Sequence, residues 1–344
     1  MIICYYPTLR LVIIRFFIHF FGKYYYLEQI RGANMERRTF LKLQMQGLLW
    51  LAAGGSGVSA TLSFAESVMA STYPHVAVAK GRPDAATRAA VELIGGMKRF
   101  VKPGQKVIIK PNMSFAKGPE SGTNTHPDVV REVVKMCKEA KAGKILVLDH
   151  SLHDPIQSLE KSGILDACNS IEKNICFHLM EDRFYKEANI PAGVDMKSNS
   201  FMRDVLDADV IIAVPVAKSH GGAGVSLSLK GQMGLILNRR IMHYRYSLDQ
   251  SIVDLNTRIK PTLAIIDATR VLTSGGPGGP GKVITPGEVI VSADPVSADA
   301  TAVASYEWYD RKMTPLQVGH IRLAHQRGLG RLDIENLSIQ RVTV

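Results

Sequence analysis

The chain has 344 residues, 46% of them apolar and 21% charged, a globular composition that excludes wholesale disorder. Its formal charge of +11 invites a nucleic-acid partner, but there is no clustered basic stripe with interleaved aromatics, so nucleic acid is not the expected partner. Four cysteines (Cys4, Cys137, Cys168, Cys176) are too few and scattered for a disulfide framework, and none shows CxxC spacing.

Residues 1–34 hold nine of the chain's 24 Phe, Tyr and Trp. The apolar run Leu11–Phe21 is broken by Arg15 and His19 and falls short of the roughly 20 clean residues that span a bilayer. Two readings stand: a membrane-surface segment, or an upstream extension ahead of a true start at Met35. The residues from Met35 onward favour the second. Met35-Glu36-Arg37-Arg38-Thr39-Phe40-Leu41-Lys42 leads into a mildly apolar, glycine-containing stretch, Leu48 to Phe64. This resembles a twin-arginine signal peptide over residues 35–70, ending at Ala65 or Ala70. The competing reading is an arginine pair opening an ordinary helix. The resemblance implies export by the twin-arginine machinery to a periplasmic or other extracytoplasmic location. Without residues 1–70 the charge is +7, which suits anions, and no stable membrane span remains.

From His75 onward, short β-branched runs alternate with helical periods. Strands are expected at Val76–Lys80, Lys106–Lys110, Lys144–Asp149, Asp209–Val216, Thr262–Asp267, Glu288–Ser292 and Asn336–Val342. Helices are expected at Asp84–Phe100 with Asp84 as cap, from Pro127, and at Tyr246–Ile259, Pro295–Tyr306 and Pro315–Arg327. The pattern predicts an α/β fold: a largely parallel sheet flanked by helices, as one domain over 75–342 or two lobes. In such sheets ligands sit beyond the carboxyl ends of the strands.

Three strand ends carry the polar chemistry. Lys110-Pro111-Asn112 ends one strand, and a loop runs on to Thr125-His126-Pro127 at a helix start, where an anion is favoured. Plainer readings are a helix cap for Thr125 and a solvated strand end for Lys110. The second stretch, Val214 to Gly231, runs a strand into a Gly-rich turn holding Lys218, Ser219, His220, Ser226 and Lys230. Glycines let backbone amides approach an anion, lysines supply charge, and a histidine moves a proton near neutral pH. The spacing fits neither GxxxxGK[ST] nor GxGxxG. Third, a Gly/Pro run from Thr273 to Gly281, a lid or a connector, precedes Asp294-Pro295, which reads as a helix cap. Asp299 lies on the apolar stripe of its helix, and a buried carboxylate needs a partner. A site lysine is the expected one, with Asp267 as the next carboxylate. Asp149-His150 and His153-Asp154 lack a second constellation for a metal and read better as caps, so metal and cofactor stay unknown.

These segments, in this order, resemble the prokaryotic family catalogued as domain of unknown function 362, over residues 75–342. Many relatives carry a ferredoxin-like cysteine cluster, which this chain lacks. Separately, His220-x3-Gly224-x-Ser226-x3-Lys230 resembles a segment of the nickel-pincer lactate racemases. There the lysine holds a nickel–pyridinium cofactor and the histidine is an acid/base. Here His126 stands where that family has a substrate-gripping arginine, Leu227-Ser228 replaces a glycine pair, and Tyr246 replaces the nickel-ligating histidine, with His243 nearest. The resemblance implies a racemase or epimerase as one alternative.

The leading expectation is an enzyme acting on a small anionic metabolite. His220 would transfer the proton, with Lys230 and Asp299 beside it in the catalytic set. Lys110, Asn112, Thr125, His126, Lys218, Ser219 and Ser226 would bind the ligand. A non-catalytic periplasmic anion- or metabolite-binding protein is the alternative from another class. The three ammonium groups are expected to converge near His220, with Asp299 at salt-bridge distance from one of them.

Overall fold

The apolar runs assemble into one large mixed sheet in a computed structural model that describes residues 73–344. The upstream extension, the twin-arginine signal and Cys4 lie outside the described residues. Strands in chain order are β1 Val76–Lys80, β2 Lys106–Pro111, β3 Lys144–Asp149, β4 Cys176–His178, β5 Tyr185–Asn189, β6 Ser198–Met202, β7 Val210–Val214 and β8 Val216–His220. They continue with β9 Gly224–Ser226, β10 Leu263–Leu272, β11 Val283–Ile284, β12 Glu288–Ser292, β13 Glu307–Trp308, β14 Arg311–Lys312 and β15 Ile339–Thr343. The main sheet runs β15-β1-β12-β10-β7-β2-β3-β4, with β8 and β11 attached along β10 and β9 paired to β8. Along this path only β12 pairs antiparallel with its neighbours. The expected α/β class with a largely parallel sheet is what forms.

Period-two alternation explains the layers. Along β2, Ile108 goes to one hydrophobic cluster while Val107 and Ile109 go to the other. Strands buried on both faces must be covered on both, which is why they read as continuous apolar runs. Helices Pro83–Leu93 and Pro127–Glu139 cover one face through Ala86, Ala90, Val130 and Val134. Helices Leu248–Arg258, Pro295–Ser305 and Gly319–Gln326 cover the other through Ile252, Leu255, Val296, Val303 and Ile321. Thr72–Val344 forms one compact unit. Among the described residues, no helix is long and apolar enough to cross a membrane.

Several boundaries differ from the sequence pattern for local reasons. The expected helix Asp84–Phe100 stops at Leu93, because Gly95 and Gly96 take φ of +104° and +76°, and a short helix resumes at Met97. Arg82, not Asp84, occupies its cap position, since Pro83 already sits in the first turn. The expected strand Asp209–Val216 divides at Pro215, and the chain then continues as β8 through His220. The Gly-rich turn is therefore confined to residues 221–223, and β8 and β9 form a hairpin around it. Strand β10 runs on to Leu272 because it changes partner, pairing first with β7 and then with β8.

Candidate functional site

Because β2, β3 and β7 are parallel, their carboxyl ends reach one edge of the sheet, and the first lysine arrives there on β2. Lys110 is 2% exposed, and its Nζ lies 3.0 Å from Oδ1 of Asp149, the last residue of β3. The other Asp149 oxygen accepts from the Met113 amide (3.1 Å) and the Ser114 hydroxyl (2.8 Å). Burial works to raise this carboxyl, but Lys110, His178 and Arg239 outweigh it and hold it below its ordinary value. The pair fits only because Gly234 passes over it: a Cβ there would fall 2.0 Å from Asp149 Oδ1 and 2.4 Å from Lys110 Cε.

The second lysine comes from β8. Lys218, 3% exposed, donates to the Thr123 carbonyl (2.5 Å), and its Nζ lies 4.9 Å from the Phe115 ring centroid. Burial first, and then the neighbouring Lys230 charge, push it down to about 7. The third, Lys230, sits on the short helix Ser228–Gly231 and is 8% exposed. Among the described residues its Nζ meets the Met233 sulfur alone, at 3.7 Å, and burial followed by Arg239 lowers it to about 8. Among the described residues, no carboxylate lies within salt-bridge distance of Lys218 or Lys230.

His220 ends β8, and its Nδ1 accepts from the amides of Gly222 and Ala223, both at 3.1 Å. The neutral ring therefore carries its proton on Nε2. Burial, then Lys230, His243 and Lys218, depress it to about 3. Its ring stacks on His243 with centroids 6.1 Å apart. The charges of Lys110 and Lys230 act on Lys218, and those of Lys218 and Lys230 act on His220, so these four groups share one environment.

Asp299 departs from its expected partner. It is fully buried, as its stripe position implies, but it reaches no lysine. Its two oxygens accept from the backbone amides of Ser228 (2.8 Å) and Leu229 (3.0 Å), the start of the short helix that carries Lys230. The physical reason is supply: the first amides of a helix need acceptors, and a carboxylate on the packed neighbouring helix provides two. Burial raises it to about 7 against those two bonds. Asp267 likewise takes Arg270 (3.1 Å), Thr269 and the His126 amide as its partners.

The remaining residues brace the site. Thr125 donates to the Val214 carbonyl (2.7 Å) and accepts from the Asn112 amide (2.9 Å), while Asn112 Oδ1 accepts from the Val216 amide (3.1 Å). The helix cap at Pro127 is His126, not Thr125, with Nδ1 accepting from the Asp128 amide. Ser219 accepts from the Gly276 amide (2.9 Å), and Lys117 donates to the Gly278 carbonyl (2.7 Å). The Gly/Pro run is thus tied across β8 and Phe115. Ser226 lies opposite Lys218 in the hairpin and is buried. Asp154 and Asp294 cap helices as expected.

Asp149, expected as a cap near the following helix, pairs with Lys110 instead, and Gly234 and Arg239 were not legible as site residues. The signal for Asp149 was two neighbouring strands ending in opposite charges. Arg239, which donates to the carbonyls of His150 and Ser151, gives no sequence signal.

An α/β protein with buried lysines at the carboxyl edge of its parallel strands is the class this architecture defines. Residues 107–304 match the family described as Domain of unknown function (DUF362), and the chain belongs to that family. A thylakoid-associated protein of Synechocystis sp. is 28% identical over 212 residues, covering 58% of this chain and 63% of that protein, so the chain spans under two thirds of that relative. Among solved structures, the lactate racemase apoprotein of Thermoanaerobacterium thermosaccharolyticum aligns with a TM-score of 0.45 at 11% identity, over 66% of this chain and 56% of that one. A Thermotoga maritima protein aligns at 0.35 and 11%, over 72% and 60%.

Tyr246 packs against the hydrophobic core, His126 is engaged as a cap, and His243 stacks on His220 from an exposed position. Among the described residues, no three His, Cys, Asp or Glu side chains are grouped to hold a metal ion.

Proposed function

We propose that the chain is an exported enzyme that acts on a small anionic metabolite at the Lys110, Lys218, Lys230 and His220 site. The observation that carries this reading is a set of buried lysines of which two have no carboxylate partner among the described residues. Burying an ammonium costs several kcal/mol unless something compensates, and an anionic ligand is the natural compensation. In this reading the lysines bind the anion, and His220, with Nδ1 occupied by two amides, donates a hydrogen bond from Nε2 to the oxygen on which charge develops. Asp299 positions Lys230 through the helix it caps. The test is turnover of candidate hydroxy- and oxo-acids and phosphate esters, followed by proton NMR, with His220→Gln beside the parent. The variant should lose about 10²-fold or more in kcat while binding the same ligand within a few-fold.

One observation favours a second reading, a non-catalytic binding protein. His220 is held neutral by its surroundings, with Nδ1 occupied by two amides, which suits a fixed hydrogen-bond donor. A ligand that binds the parent protein but is recovered unchanged would select this reading over the enzyme.

A further inference from the structure

Four cationic side chains act on one another at the site: Lys110, Lys218, Lys230 and Arg239. Among the described residues one carboxylate stands against them, Asp149, and its charge is engaged by Lys110. The other buried acids nearby are committed elsewhere, Asp299 to two backbone amides and Asp267 to Arg270. Building on the proposed anion site, we infer that its ligand carries two negative charges, held between Lys218 and Lys230.

Three observations carry this. First, Lys110 is neutralised by Asp149 and Arg239 is spent on two carbonyls, so neither needs a ligand. Second, Lys218 and Lys230 are each more than nine-tenths buried, and among the described residues neither has an anionic partner. Among those residues Lys218 has one carbonyl and an aromatic face, and Lys230 has a thioether sulfur. A monoanion would compensate one of them and leave the other buried and repelled by its neighbour. Third, the flanking histidines add no compensating charge. His220, His243 and His320 are all held toward the neutral form, by burial first and by Lys230 among the charges nearby. Without a ligand, burial above all, with the Lys230 charge beside Lys218 and Arg239 beside Lys230, makes the two lysines give up protons near pH 7 and 8. A dianion holds both as ammonium groups, so its binding must draw protons from solution. A phosphoryl group and a small dicarboxylate share this chemistry.

Calorimetric titration of the full chain at pH 8 and constant ionic strength tests the inference, using inorganic phosphate, malonate and acetate in buffers of different ionisation enthalpy. Phosphate or malonate should bind at least tenfold more tightly than acetate, with uptake of about one proton or more per ligand. The tighter of the two separates a tetrahedral oxyanion from a dicarboxylate. Lys230→Gln should weaken the dianion about tenfold or more and reduce the proton uptake, while exposed Lys98→Gln leaves both unchanged. Acetate binding as tightly as the dianions, or dianion binding without proton uptake, overturns the two-charge inference and leaves the anion site standing. Failure of all three ions to bind removes both.

Discussion

At the scale of single residues, the Lys110–Asp149 pair is where folding and chemistry meet. Both side chains are nearly excluded from water, so removing one partner strands the other as an uncompensated charge. Asp149→Asn should cost about 3–5 kcal/mol in urea unfolding. The depressed Asp149 carboxyl sets the sign with pH. Its contribution is complete above about pH 4 and is lost as the pH falls through the folded value, so parent and variant should converge in acid. Gly234→Ala tests the same pair sterically, since its methyl would occupy the space of the carboxylate oxygen, and it should lose at least as much stability. Lys110 could be read from the sequence because it ends an apolar run. Its partner could not, because which carboxylate lies beside it depends on the register of β2 against β3.

Among the elements, the short helix Ser228–Gly231 shows how a distant residue sets a lysine in place. Four residues make too few internal bonds to hold a helix, so Asp299 supplies the acceptors for its first amides. Its raised carboxyl gives stability that is complete below about pH 4 and lost as the pH rises through about 7. Asp299→Asn cannot titrate, so its denaturation midpoint should lack that fall, a difference on the order of 4 kcal/mol. Identical midpoint-versus-pH curves for the two proteins would exclude the assignment. The strands around this helix were partly legible. Apolar runs marked β1, β3 and β12 at their observed ends, because strands buried on both faces need no alternation. Strand β8 was hidden, because Lys218, Ser219 and His220 look like loop residues until β10 is seen to carry them.

For the whole molecule, the α/β class was legible from the alternation of strand and helix periods, whereas which helices cover which face needed the structure. The proposed export belongs to this scale too. Replacing Arg37 and Arg38 together by Lys should leave precursor in the cytoplasm, read by fractionation and immunoblot. Undiminished release of mature protein would exclude a twin-arginine route. The lysine site bears on where such a protein can work. With Lys218 and Lys230 giving up protons near 7 and 8, modest shifts in ambient pH change how many charges await the ligand.

The change of partner along β10 has a kinetic consequence. The lysine-bearing strand is laddered to the middle of the sheet on one side and to β9 on the other. It therefore has no private opening motion, and protection of the Lys218 and Ser219 amides against hydrogen exchange should track unfolding of the entire sheet. Gly221, exposed at the tip of the turn, carries no such constraint, and its amide should exchange orders of magnitude faster. Opening motions are thereby kept away from the two lysines and confined to the tip of the hairpin.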